Sequence, residues 1–224
     1  MHRAEQLDNL YIFKNTEGTP ENIRKFHPNI IVSSTGSAPL LPPIAGLKDR
    51  IDNKNHNIYS ILGMISHIND FPKDLEGKKV VVVGGGAVGL DVVEFFADRN
   101  ADISIVEMMD QIGRDLDPVS KNDTKTMMKK HNVHQLTKTA LLEVKDSSFL
   151  VRGDGEPYEL PFEYGFVCLG MRAQGQLYQS LTEEFSSEDV EIMNIGDSQR
   201  ARRIIDGTQE GRNILTILEQ KGYL

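Results

Sequence analysis

A run of four valines leading into a glycine turn constrains this chain more than any other feature. Lys78 and Lys79 precede Val80–Val83; Gly84, Gly85 and Gly86 follow, then Ala87, Val88, Gly89, Leu90, Asp91 and an apolar stretch to Ala97. The pattern predicts a buried strand, a tight turn and an amphipathic helix. Gly84, Gly86 and Gly89 hold the G-x-G-x-x-G spacing, which assigns each a task. Gly84 makes the sharp turn, Gly86 admits a pyrophosphate to the backbone, and Gly89 lets the helix pack on the strand. The first helical N–H groups, Ala87 and Val88 among them, then point at the phosphates with the positive end of the helix dipole. Ala101–Val106 reads as the next strand and ends at Glu107, 18 residues beyond Gly89. A carboxylate there accepts hydrogen bonds from an adenosine ribose and repels a 2′-phosphate, so the pattern favours NAD(H) over NADP(H), with the nearby Arg114 working against that preference.

The remaining chain alternates strands and helices. A helix from Glu21 to Phe26, opened by Thr19 and Pro20, lies between strands at Tyr11–Phe13 and Asn29–Ser33. Residues 48–76 are polar apart from an apolar helical piece, Tyr59–Ile68, and read as a connection. A helix is predicted over Pro118–Lys130. Short alternating runs over 132–160, broken at Asp154-Gly155, predict an antiparallel meander. Strands at Tyr164–Leu169 and Val190–Ile195 precede a last helix from Arg203 to Glu219. The expected class is α/β: a Rossmann-like parallel sheet with an attached β-meander. Ligands of such sheets bind beyond the carboxyl ends of the strands. Small residues stand at three further ends, Thr35-Gly36, Gly170 and Gly196-Asp197.

Other features narrow the function. The net charge of −8 argues against a nucleic-acid partner. No apolar run reaches membrane-spanning length, and the first residues lack the core of a signal peptide. The single cysteine, Cys168, lies in an apolar run and reads as a core residue, not a nucleophile. These features fit a reducing cytoplasm. His131 and His134 have helical metal-ligand spacing, yet no third ligand is near, so no metal site is expected. Asp197 reads equally as a ligand or as the N-cap of the last helix, Arg172 as a cofactor contact or a loop residue, and Glu94 as a helix-surface acid. Catalytic residues are not identified.

These segments in this order resemble the two-dinucleotide flavoproteins, in particular the C-terminal region of NADH:flavin oxidoreductases of the 2-enoate reductase and 2,4-dienoyl-CoA reductase type. Val32–Pro39 resembles the family's A-T-G turn, Gln111–Pro118 a segment of the enoate-reductase branch, Cys168–Arg172 an A-x-G-x-R-type turn, and Asn194–Ser198 the G-D turn whose Asp contacts the FAD ribitol. The resemblance implies an NAD domain at 77–186 inserted in a partial FAD domain at 1–47 and 187–224, with 48–76 connecting them. It implies hydride passing from NADH to FAD. The family's first FAD glycine motif has no counterpart here, so FAD binding is expected to be weak or absent and the chain reads as a fragment, a separately encoded piece or a truncated descendant. Where the family has Glu near the nicotinamide, this chain has Asp91. The expected partner is a nicotinamide nucleotide, with a second copy or a chain supplying the rest of the flavoprotein. The alternative is a non-catalytic NAD-binding or interaction module.

Overall fold

The computed structural model describes residues 6–223. Two compact units emerge: a central one, 38–172, and a terminal one built from 1–37 and 173–224. Among the described residues no helix is long and apolar enough to cross a membrane.

The central unit carries a parallel sheet of five strands: β3 (Ile58–Tyr59), β4 (Lys79–Val83), β5 (Asp102–Val106), β6 (His134–Leu136) and β10 (Tyr164–Val167), in the order β3-β10-β4-β5-β6. The valine run explains why β4 sits at the centre. Successive strand side chains point to opposite faces, so a strand buried on both faces reads as continuously apolar. Val80 and Val82 pack with Ile103, Ile105 and the helical residues Val92, Val93 and Phe96. Val81 and Val83 pack on the other face with Val106, Val144, Phe149 and Val151. The helical layer includes α3 (Ile61–Ser66), α4 (Ala87–Ala97) and α5 (Pro118–Lys130). The opposite layer is the antiparallel meander β7 (Ala140–Val144), β8 (Ser148–Arg152) and β9 (Tyr158–Pro161), with the single helical turn α2 (Leu47–Arg50).

In the terminal unit β1 (Ile30–Ser33) runs parallel to β12 (Glu191–Asn194). The helices are α1 (Pro20–Arg24), α6 (Gln176–Glu184) and α7 (Ile204–Gln220). Thr19 caps α1, its hydroxyl accepting from the Asn22 N–H at 3.2 Å, with Pro20 in the first turn. Its buried apolar cluster is small, Ile31, Leu181 and Phe185, and Leu218 of α7 is buried outside it. Arg24 lies over the Phe185 ring and bridges Glu184 and Glu188. The chain passes between the units through β2 (Ser37–Pro39) and β11 (Met171–Ala173).

Four expectations differ from this architecture. Within 132–160, read as meander, His134–Leu136 instead pairs parallel with β5 as the edge of the central sheet, because its partner lies about thirty positions earlier and no local pattern marks it. Tyr11–Phe13 forms no strand; the three side chains lie 77%, 47% and 59% exposed, because no neighbouring strand among the described residues offers its hydrogen-bonding edge. Residues 48–76 are not a mere connection. Ile58–Tyr59 extends the central sheet, and Met64, Phe71 and Leu75 are buried beside Phe96 and Phe166. Their apolar positions are sparse enough to read as polar chain. Residues 173–186 group with the terminal unit, since Leu181 and Phe185 bury against Ile31 there.

Candidate functional site

The glycine turn lies at the carboxyl end of β4. Gly84 has φ +107, and a Cβ on it would stand 2.1 Å from the Cys168 carbonyl oxygen, so only glycine fits. A Cβ on Gly89 would stand 1.9 Å from the Gly84 carbonyl oxygen, which is why helix α4 can lie so close to the turn. Gly86, the N-cap of α4, is different: it is exposed, and nothing lies within 4 Å of where its Cβ would be. The first and third glycines are therefore demanded by packing, and the second faces open space.

Glu107 follows β5 and is half-buried. Its carboxylate accepts from the Gly85 N–H at 2.6 Å and the Met109 N–H at 2.8 Å, tying the glycine turn to the next strand end. An ionised carboxylate accepts about four hydrogen bonds, so two positions remain for hydroxyl donors.

A cavity of about 600 Å³ opens beside this turn, wholly within the central unit. Gly84, Gly86, Ala87, Val88, Glu107 and Gly170 all line it. Gly85 and Gly89 are buried and do not line it. Its far wall comes from residues that the sequence did not single out: Pro42 and Ile44 from the connector after β2, and Thr139, Ala140 and Leu141 at the start of β7. The Pro42-Pro43 pair, which holds the chain extended, was the one available signal for this wall. Asp91 is not on the wall. It faces a separate cleft with Glu94, Ser120 and Asp123, between α4 and α5, and desolvation raises its carboxyl above the ordinary value.

Cys168 is buried, as its apolar run implied. Burial, with a smaller contribution from the Asp91 charge, pushes its thiol up to about 12. At neutral pH it holds its proton and is no nucleophile.

In the terminal unit Thr35-Gly36 and Gly196-Asp197 follow the ends of the paired strands β1 and β12. The Thr35 hydroxyl donates to the Gln174 carbonyl at 2.6 Å. Asp197 is not the N-cap of α7. Its carboxylate accepts from the Ser37 hydroxyl at 3.0 Å and the Arg202 N–H at 3.1 Å, while Asp206 accepts from the Arg203 N–H at the helix start. Glu210 accepts from the Gly196 N–H at 2.6 Å and from the Arg202 guanidinium; these bonds, the backbone one foremost, hold its carboxyl below the usual range. Arg202 and Arg203 thus pair with acids of α7, Glu210 and Asp206. His131 ends α5 and His134 stands 3.4 Å from Asp102; among the described residues no group of three metal-ligating side chains converges.

Comparison with known proteins adds the ancestry. Residues 8–193 match the pyridine nucleotide-disulphide oxidoreductase family. The chain is 26% identical to a metal reductase of Desulforamulus reducens, over 88% of this chain and 32% of that protein. It is 26% identical to an NADH oxidase of Thermoanaerobacter brockii, over 85% of this chain and 28% of that protein. It thus spans about a third of these relatives' length. A 2-naphthoyl-CoA reductase, solved in complex with 2-naphthoyl-CoA, has the same fold over 90% of this chain and 29% of its own, with TM-score 0.74 at 22% identity. Nicotinamide nucleotide and FAD are the cofactors that this ancestry brings with it. With the match covering most of its length, the chain belongs to the pyridine nucleotide-disulphide oxidoreductase family.

Proposed function

We propose that the central unit binds NADH in the cavity beside α4, and that the protein is the NADH-binding portion of a flavin-dependent, enoate-reductase-like oxidoreductase. The observation carrying this reading is that one cavity in one unit collects Gly84, Gly86, Ala87, Val88, Glu107 and Gly170. In this reading the open face of Gly86 and the first N–H groups of α4 receive the pyrophosphate. The free acceptor positions of Glu107 take ribose hydroxyls, and its charge disfavours NADPH. Gly170, with φ +101 and nothing within 4 Å of a Cβ position, lets the far half of the nucleotide approach β10. When bound, NADH would supply a hydride, for which the FAD of the complete flavoprotein would be the acceptor. Two relatives with different names, a metal reductase and an NADH oxidase, share this stretch, which suits a donor side common to several acceptors. The choice of an unsaturated, enoate-type substrate rests on the resemblance of Gln111–Pro118 to the enoate-reductase branch.

The terminal unit fits FAD only in part. Thr35, Gly36, Gly196 and Asp197 stand at strand ends where a flavin nucleotide would lie, but Asp197 already accepts two hydrogen bonds. Among the described residues no second glycine turn leads into a helix as Gly84–Gly89 does. FAD binding by this chain alone is therefore weak or absent. Titration of the purified chain with NADH, NADPH and FAD, with a visible spectrum, tests all three statements. NADH binding without flavin is expected; no NADH binding sinks the reading, and stoichiometric flavin sinks the FAD statement.

A second reading, a nucleotide-binding or interaction module without turnover, draws on the terminal unit. Leu10–Phe13, Phe26, Ile204, Ile205 and Leu215 are exposed there beside a sheet of two strands. Apolar surface of this kind marks a partner site: a second copy, or a chain that supplies the rest of the flavoprotein. We place the protein in the cytoplasm, consistent with one buried, reduced cysteine. Sedimentation of the chain alone, which gives a monomer if the partner is a different chain, separates the two partners.

A further inference from the structure

The cavity of the central unit has two unlike walls. The α4 side is fixed by the core of the parallel sheet. The far side is made by two segments outside that sheet, the connector Pro42–Ile44 and the beginning of β7 at Thr139–Leu141. Something other than the sheet must set their position.

Immediately beyond the lining residues, the two segments are fastened to each other. The Val144 N–H donates to the Ala45 carbonyl at 2.8 Å, and Ala45 and Glu143 form a parallel bridge. The β7–β8 register shifts between Leu141 and Glu143, so an irregularity divides the lining half of β7 from the fastened half. Gly46 then turns the connector into α2 with φ +73; a Cβ on it would stand 2.1 Å from the Val144 carbonyl oxygen. One turn on, Arg50 Nε donates to Asp146 Oδ1 at 2.7 Å, from α2 to the β7–β8 turn. Leu47, fully buried between them, pins α2 to the same core as Val144 and Phe149.

We propose that Gly46 and the Arg50–Asp146 pair are positioning residues: a clamp that joins the connector to β7 and thereby sets the width of the nucleotide cavity. This rests on the NADH reading of that cavity. None of the three touches the cavity; they act through Pro42, Ile44 and Thr139–Leu141. Supporting groups that lock wall residues decide whether a site is preorganised or loose. The Asp146 side chain is 72% exposed, and exposed ion pairs contribute little to global stability. The clamp's effect on the cavity is therefore separable from any effect on folding.

The test uses the full chain with Arg50→Ala, Asp146→Ala, the double variant and Arg50→Lys. Amide exchange is followed without ligand, and NADH binding by the fluorescence of the bound nucleotide. The alanine variants are expected to exchange faster at Thr139–Val144 and Ala45–Arg50, and to bind NADH up to about fivefold more weakly, the scale of one such pair. The double variant should lose less than the two single variants summed, because both break the Arg50–Asp146 interaction; Arg50 also donates to the Gly46 carbonyl at 3.5 Å and Asp146 also lies 3.7 Å from His56. Arg50→Lys should restore most of the binding, and Tm should stay close to that of the parent. Gly46→Ala should have a larger effect; if it fails to fold, the Arg50 and Asp146 variants still decide. Unchanged exchange and unchanged affinity overturn the clamp while leaving NADH binding standing. Faster exchange with no NADH binding by any form overturns the coenzyme reading, and the positioning role with it. A fall in Tm that accounts for the weaker binding also overturns it.

Discussion

Gly86 and Gly89 lie three positions apart and are expected to respond to a side chain in opposite ways. At Gly86 the Cβ position is open and φ is −79, so Gly86→Val should leave the unfolding temperature nearly unchanged and abolish NADH binding in calorimetry. At Gly89 a Cβ would meet the Gly84 carbonyl at 1.9 Å, so Gly89→Ala should destabilise the chain by about 1–3 kcal/mol, the range for overpacking. Glu107→Ala should weaken NADH by about 1–2 kcal/mol, the scale of hydrogen bonds to a charged group, and narrow the gap to NADPH. Unchanged NADH affinity in both Gly86→Val and Glu107→Ala would remove the site. Cys168 gives a pH test. Its folded pKa is raised from 9.0 to about 12, so the folded state keeps a proton that the unfolded state releases. The resulting stability is whole below pH 9 and declines as pH rises toward 12. The stability advantage of the parent over Cys168→Ala, followed by urea unfolding, should shrink between pH 8 and pH 10.5. The glycine spacing and Glu107 were legible because they are local. The pairing of Glu107 with the Gly85 and Met109 amides was not, since it depends on where β5 lies beside β4.

At the scale of elements, α5 shows why a sequence can state its own boundaries. Asp117 caps it, accepting from the Val119 and Ser120 N–H groups; Pro118 suits the first turn, and Lys129 and Lys130 oppose the dipole in the last. The Ser120 hydroxyl and N–H hold the Asp117 carboxyl below its usual range. A lowered folded pKa gives stability that is present above the unfolded value and lost as pH falls. Asp117→Ala should therefore lower Tm at pH 7, with the difference vanishing at acid pH; a difference independent of pH would refute the charge-assisted cap. The meander was legible for the same reason, through alternation read over 132–160, although His134–Leu136 at its start belongs to the parallel sheet. Elements stabilised from a distance were not. Ile58–Tyr59 is too short to announce itself and becomes a strand only beside β10. Helix α6 buries Leu181 against Ile31, a partner 150 positions earlier. Tyr11–Phe13 has a strand-like sequence but pairs with no strand among the described residues.

At the scale of the whole molecule the units differ in how they are held. The central unit is one continuous segment, 38–172, with two extensive buried clusters on the faces of its sheet. Expressed alone, it should unfold cooperatively and bind NADH as tightly as the full chain; failure to fold, read by circular dichroism and calorimetry, would show that the terminal segments contribute to it. The terminal unit joins two distant segments around Ile31, Leu181 and Phe185. It should be the first to exchange its amides. The sequence by itself determined the glycine turn, the acid at the next strand end, the meander and the α/β class, because each is written in neighbouring residues through backbone freedom, capping and apolar period. Only the tertiary structure decided which segments make the far wall of the cavity, that Asp91 lies outside it, and where the units divide. Those outcomes depend on side chains far apart in sequence finding a common core, and no local pattern encodes that meeting.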